Sequence, residues 1–224
     1  MLPKLARVFS SSVGTKLLIG VTGLLLVAYM LLHVIGNTLI FLGRDLFNEY
    51  SHFLVSNPLI LPIEFGLLLV FVIHIVKAIT MWRSNQAARP VPYEKKERAG
   101  RTSRKSLASS TMIASGLFVL VFVVVHVKQF KFGTFYLALG SDSVRDLYRT
   151  EIEVFRNPLW VAFYVVATLL VGLHMRHGVS SAFQSLGLNH PRYTRRIVAV
   201  GILLAVLVGG GLAIIPMWAF LTHY

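Results

Sequence analysis

Eight histidines are spread unevenly along the 224 residues. His52, His190 and His223 stand in polar connections or at the end of the chain, where a solvated imidazole is the simplest reading. His33, His74, His126 and His174 stand instead within long apolar stretches, one in each, and His177 follows His174 in "LLVGLHMRHGVSSAFQSLG". A polar ring in hydrocarbon is costly and is retained for a purpose. Its chemistry is limited to interhelical hydrogen bonding, proton relay near neutral pH, or metal ligation through a ring nitrogen. For any single intramembrane histidine the first two are the commoner uses, so the argument turns on how the elements arrange the four.

Those elements are set by composition. With 55% hydrophobic and 14% charged residues and a mean hydropathy of +0.69, the chain has too little polar surface for a soluble domain. The reading is an all-α integral membrane protein. Stretches long enough to cross about 30 Å of hydrocarbon are expected at about 16–42, 58–82, 107–130, 158–183 and 197–221. The first reads as a retained span, because its apolar core is too long for a signal peptide and ends in no small-residue cleavage site. The whole chain is thus expected to form one transmembrane domain, with the first four spans making the bundle that carries the histidines. No 20–50-residue repeat stands out.

The absence of cysteine excludes disulfides, thiolate zinc sites, iron–sulfur clusters and covalently attached c-type haem from this chain. The net charge of +13 does not point to nucleic acid, because the basic residues sit between apolar runs and not along one folded face. Anionic membrane lipids and an acidic partner protein are the expected counterparts. Lys4, Arg7 and Lys16 at the start, eight basic residues in "RSNQAARPVPYEKKERAGRTSRK", and Arg192, Arg195 and Arg196 mark one side of the membrane. By the positive-inside rule that side is the cytoplasm, which places the N-terminus and the 83–106 loop inside and the C-terminus outside. The 131–157 connection then lies outside, and its "SDSVRDLYRTEIEVF" is expected to form a short amphipathic helix.

Span direction converts four histidines into two pairs. His33 and His126 lie past the midpoints of outward-running spans and so in the outer half; His74 and His174 lie past the midpoints of inward-running spans and so in the inner half. The levels are expected to differ by roughly 10–15 Å. Two imidazoles facing each other across a bundle can ligate a haem iron from both sides, which closes the iron to oxygen and suits electron transfer. A zinc or copper site would want its ligands at one depth.

The stretches "SSSVGTKLLIGVTGLLLVAYMLLHVIGN", "NEYSHFLVSNPLILPIEFGLLLVFVIHIV", "VVVHV" and "LHMRHGVSSAFQSLGLN" together resemble the five-helix, single-polypeptide di-haem cytochrome b anchor of succinate:quinone oxidoreductases. The resemblance covers spans one to four. It implies two haem b groups, with His33 and His126 on the outer iron and His74 and His174 on the inner one. It also implies a prokaryotic cytoplasmic membrane, a flavoprotein subunit and an iron–sulfur subunit on the cytoplasmic face, and quinone, commonly menaquinone, as membrane substrate. The chain would then be the non-flavin, quinone-reactive part of a succinate dehydrogenase or fumarate reductase. Lacking a nucleotide motif, cysteine or a large soluble domain, it needs such a partner to receive electrons, and the basic segment from Lys95 to Lys105 is a candidate docking surface.

Other residues carry two readings each. His177 and Arg176 lie nearer the cytoplasmic edge than His174, where haem propionates need donors, and Lys77 lies one turn beyond His74; snorkelling to headgroups is the alternative for Arg176 and Lys77. Glu64, in "LPIEFG", lies roughly 9 Å inside the outer end of span two. It is either a helix-start carboxylate or a proton-exchanging group for quinone near the outer haem. Gly20, Gly23 and Gly172 allow close approach of either a backbone or a flat cofactor, and Gly209, Gly210 and Gly211 read as helix packing. Two functions compete with the main one: the cytochrome b anchor of a hydrogenase or formate dehydrogenase, and a proton-coupled transporter with a histidine relay. The absence of paired broken helices counts against the transporter.

Overall fold

A computed structural model describes residues 7, 9, 11–88, 111–188 and 190–223. Among them there is no strand, only an isolated bridge between Leu137 and Arg145, and five helices are long and apolar enough to cross a membrane. The protein is therefore an all-α, multi-pass membrane protein. Its helices are α1 (Ser12–Thr38, extended by a 3₁₀ turn to Leu42), α2 (Arg44–Ser56), α3 (Ile60–Ala87), α4 (Met112–Phe130), α5 (Leu147–Phe155), α6 (Pro158–Ser185), α7 (Pro191–Ala205) and α8 (Gly211–His223). A π-helical turn over Val206–Gly210 joins α7 and α8 into the fifth span.

Local chemistry sets the ends. The Ser11 hydroxyl caps α1 by accepting from the Gly14 N–H at 3.0 Å, and Gly43, at φ 112°, provides the left-handed turn that separates it from α2. Asn157 caps α6 by accepting from the Leu159 N–H at 2.9 Å, with Pro158 in the first turn where its missing N–H costs nothing. The fifth span starts six residues before the expected 197, because His190 and Pro191 form the same kind of cap, with His190 Nδ1 accepting from the Arg192 N–H at 3.2 Å. The second span outruns its expected end, staying helical through Ala87, so the 83–106 connection begins inside a helix. Residues 89–110, with Arg98, Arg101 and the Lys95 to Lys105 surface, lie outside the described residues, as does Lys4.

Helices α1, α3, α4 and α6 run alternately up and down around a shared interior, with the end at Ser12 and Ala87 taken here as lower. Helix α1 packs on both α3 and α6, and the fifth span packs on the outer side of α6. Neither α3 nor α4 contains a fully buried residue, as expected of helices that face hydrocarbon on one side and a cavity on the other. The fifth span is held by glycine contact: a Cβ on Gly172 would stand 2.7 Å from the Ala205 carbonyl, and one on Gly209 3.1 Å from the Gly172 Cα. Backbones that close can only be reached by small residues.

The upper end is capped by two short helices, of which α5 falls within the expected 131–157 connection and α2 lies in the connection between the first and second spans. They are joined through Asp146, which is fully buried and accepts from Arg44, from Asn48 Nδ2 at 2.8 Å and from the Arg149 N–H at 3.1 Å. Burial alone would raise its pKa, but these donors hold it below the ordinary carboxylate value. Asn48 Oδ1 in turn accepts from the Tyr148 N–H at 2.9 Å. Beneath this latch Ile40, Phe47, Ile152, Phe155 and Tyr164 form a buried apolar cluster with Ile215 and Ala219 of α8.

Candidate functional site

The four-helix interior is an elongated cavity of ≈ 1590 Å³. A pocket for one drug-sized molecule is about 300–1,000 Å³, so this one has room for more than one large flat ligand. It extends from Lys16, Trp82 and Gln184 below to Glu64, Lys131 and Glu151 above, and His33, His74, His126, His174 and His177 all line it. Its wall is otherwise mainly aliphatic and aromatic, closed near the top by Leu212, Ile215 and Pro216 of the fifth span.

At the lower level, His74 of α3 meets α1 and His174 of α6 meets α4, in matching ways. His74 Nδ1 lies 3.1 Å from Thr22 Oγ1, and His174 Nδ1 lies 3.0 Å from Ser115 Oγ. Each hydroxyl is followed by a glycine against the same ring: a Cβ on Gly23 would stand 3.2 Å from His74 Cε1, and one on Gly116 3.4 Å from His174 Cε1. A Cβ would crowd the His74 ring, and on Gly116 it would just touch that of His174.

At the upper level, His33 of α1 and His126 of α4 face each other with ring centroids 5.8 Å apart and planes 83° to one another. One metal ion held by a nitrogen of each ring, at bonds of about 2 Å, places the centroids about 6 Å apart, so this spacing fits bis-imidazole ligation. Tyr29 stacks on His33 at 5.5 Å, while Phe122, Phe130 and Tyr164 surround His126. His126 Nδ1 is buried without a hydrogen-bond partner among the described residues, unlike its counterparts below.

The levels are linked by a spacing present twice in the sequence. "TGLLLVAYMLLH" in α1 and "SGLFVLVFVVVH" in α4 each place a hydroxyl, a glycine and then, ten residues past the glycine, an upper histidine. Eleven residues are about three helical turns, so hydroxyl and histidine share one face about 16 Å apart along the axis. Helices α1 and α4 therefore present equivalent faces across the cavity. The signal was legible as sequence but too short and too far apart to register as a repeat.

Of the further candidates, His177 lines the lower mouth with Lys16, Asn85, Ser181 and Gln184. Arg176 is exposed, and its backbone carbonyl lies 3.4 Å from where a Cβ on Gly201 of α7 would stand; Lys77 donates to the Phe9 carbonyl at 3.0 Å. Neither reaches the cavity wall. Lys16, a helix-start charge by sequence, does line the cavity at this end. Glu64 lines the upper end, ion-paired to Lys131 where α4 terminates. The glycine alternatives divide by position: Gly23 faces the cavity beside His74, Gly20 lines the cavity and also packs on the Ala182 backbone, and Gly172 packs on the fifth span.

Glu151 was missed by sequence reasoning. It belongs to α5, is 6% exposed, lines the upper cavity and forms no hydrogen bond or ion pair with the described residues. Burial pushes its pKa up to about 8, so it is held as the neutral acid near pH 7. A signal was present: in "LYRTEIEVF", Glu151 shares the helical face of Leu147, Val154 and Phe155.

Among the described residues, no group of three or more histidine, cysteine, aspartate or glutamate side chains is placed to hold a metal ion. The arrangement is two by two. Comparison with protein-family models, with curated proteins and with solved structures returned no match for the chain.

Proposed function

We propose that this protein is the di-haem cytochrome b membrane anchor of a succinate:quinone oxidoreductase, His33 and His126 holding one haem iron and His74 and His174 the other. What supports the reading is that four histidines line one cavity, His33 facing His126 at one level and His74 and His174 each held by a hydroxyl at the other. Bound there, two haem b groups would supply one-electron redox centres at two depths, linking a soluble electron donor or acceptor to quinone in the membrane.

The chain's own residues do the rest. Thr22 and Ser115 orient the lower rings, Gly23 leaves room for the His74 ring edge, and the aromatic wall around His126 excludes water. Lys16 and His177 offer positive or donor groups to carboxylates at the lower mouth. On the positive-inside reading the lower end is cytoplasmic, where a flavoprotein and an iron–sulfur subunit would dock against the basic 83–106 loop. Quinone, by this reading menaquinone, would enter from the bilayer.

Visible absorption of the purified protein tests the proposal. Sharp reduced-haem bands are expected; a colourless protein isolated from haem-replete cells overturns it and favours a proton relay.

A further inference from the structure

We infer that Thr22 and Ser115 are positioning residues that fix the tautomer of the lower histidine pair, so that His74 and His174 each present a bare Nε2 to the cavity. The inference rests on the haem reading above and concerns a property that reading leaves open: why the two levels differ. Thr22 Oγ1 lies 2.6 Å from the Leu18 carbonyl and 3.3 Å from that of Ile19, and Ser115 Oγ lies 3.1 Å from the Met112 carbonyl. A hydroxyl has one proton and two lone pairs. With the proton directed at a backbone carbonyl of its own helix, each hydroxyl can only accept from the neighbouring ring. The proton of His74 and His174 is therefore on Nδ1, and the lone pair is on Nε2.

The consequence is electronic as well as geometric. An imidazole whose N–H donates to an outer partner becomes a stronger donor to a metal, and its orientation is fixed. Stronger donation favours the oxidised ion, so these two hydroxyls lower the reduction potential of an iron held between His74 and His174. The upper pair has no such support at His126, whose Nδ1 is buried and unpartnered. The two iron sites are thereby distinguished by their second ring nitrogens, although all four iron ligands are imidazoles.

The test is a redox titration, followed by the visible spectrum, of the protein carrying Thr22→Val, Ser115→Ala, Thr22→Ser and the Thr22→Val/Ser115→Ala double substitution. Valine and alanine remove the hydroxyl without adding bulk. Both single variants are expected to raise the midpoint potential of the same spectral component, each by about tenfold in the ratio of reduced to oxidised haem, or about 59 mV for one electron. The double variant is expected to shift that component further, and Thr22→Ser to keep the parent value. Loss of that haem alone in Thr22→Val, with retention in Thr22→Ser, is the same effect in stronger form. Unmoved potentials, equal shifts in both components, or a shift confined to the component that His33→Ala removes would overturn the inference while leaving the haem reading intact. A haem-free parent protein defeats the reading itself.

Discussion

At the scale of the residue, polar side chains inside this apolar chain matter by what their second atoms touch. Hydropathy and spacing picked out the four histidines, because a polar ring is conspicuous among Leu, Val and Ile. They could not distinguish the hydroxyl-supported rings of His74 and His174 from the unsupported His126, since that depends on side-chain contacts across helices. Glu151 shows the same limit. Its apolar-face position was readable, but its complete burial depends on how α5 folds over the bundle. With its pKa raised from 4.5 to about 8, the folded state binds its proton more tightly than the unfolded chain. Its contribution is therefore full below pH 4.5 and is lost as pH rises through about 8, a change on the order of 5 kcal/mol. Melting of the detergent-solubilised protein should shift to lower temperature between pH 5 and pH 9, and Glu151→Gln should flatten that dependence. An equally steep decline in the variant would assign the effect to another group.

At the scale of the element, the spans follow from uninterrupted apolar length, and their ends differ from expectation where a cap starts a helix early or where nothing stops one. His190 with Pro191 starts the fifth span early, and α3 continues through "WRSNQA" because nothing in that stretch breaks a helix. The short α2 was hidden by its polar composition, although Leu46, Phe47, Tyr50, Phe53 and Leu54 recur at helical spacing. Its role appears through Asp146, about a hundred residues away in sequence, which ties α2 to α5 by side-chain hydrogen bonds. The fifth span depends on backbone proximity at Gly172 and Gly209. Gly172→Ala should cost about 1–3 kcal/mol by forcing α6 and α7 apart. The expected result is a lower melting temperature with no change in the number of haems bound, because Gly172 lies away from the cavity; loss of one haem would instead implicate the fifth span in the site.

At the scale of the molecule, alternating span direction generates two histidine levels from one chain. A histidine late in each of four successive spans falls high, low, high and low, and alternate spans, which face each other across the cavity, supply the pairs. This was legible from the sequence once the spans were placed, because depth along a helix is set by residue count. The facing of the rings was not legible, for rotation of each helix about its axis is fixed by contacts such as Thr22 with His74 and Gly20 with Ala182. The central claim is that the four histidines act as two pairs, and haem stoichiometry in single and double substitutions tests it most directly. The parent protein should bind two haems per chain. His33→Ala, His126→Ala and their combination should each retain one, as should His74→Ala, His174→Ala and theirs, whereas His33→Ala/His174→Ala should retain none. Retention of one haem in that crossed double variant, or loss of both in His33→Ala/His126→Ala, would contradict the account.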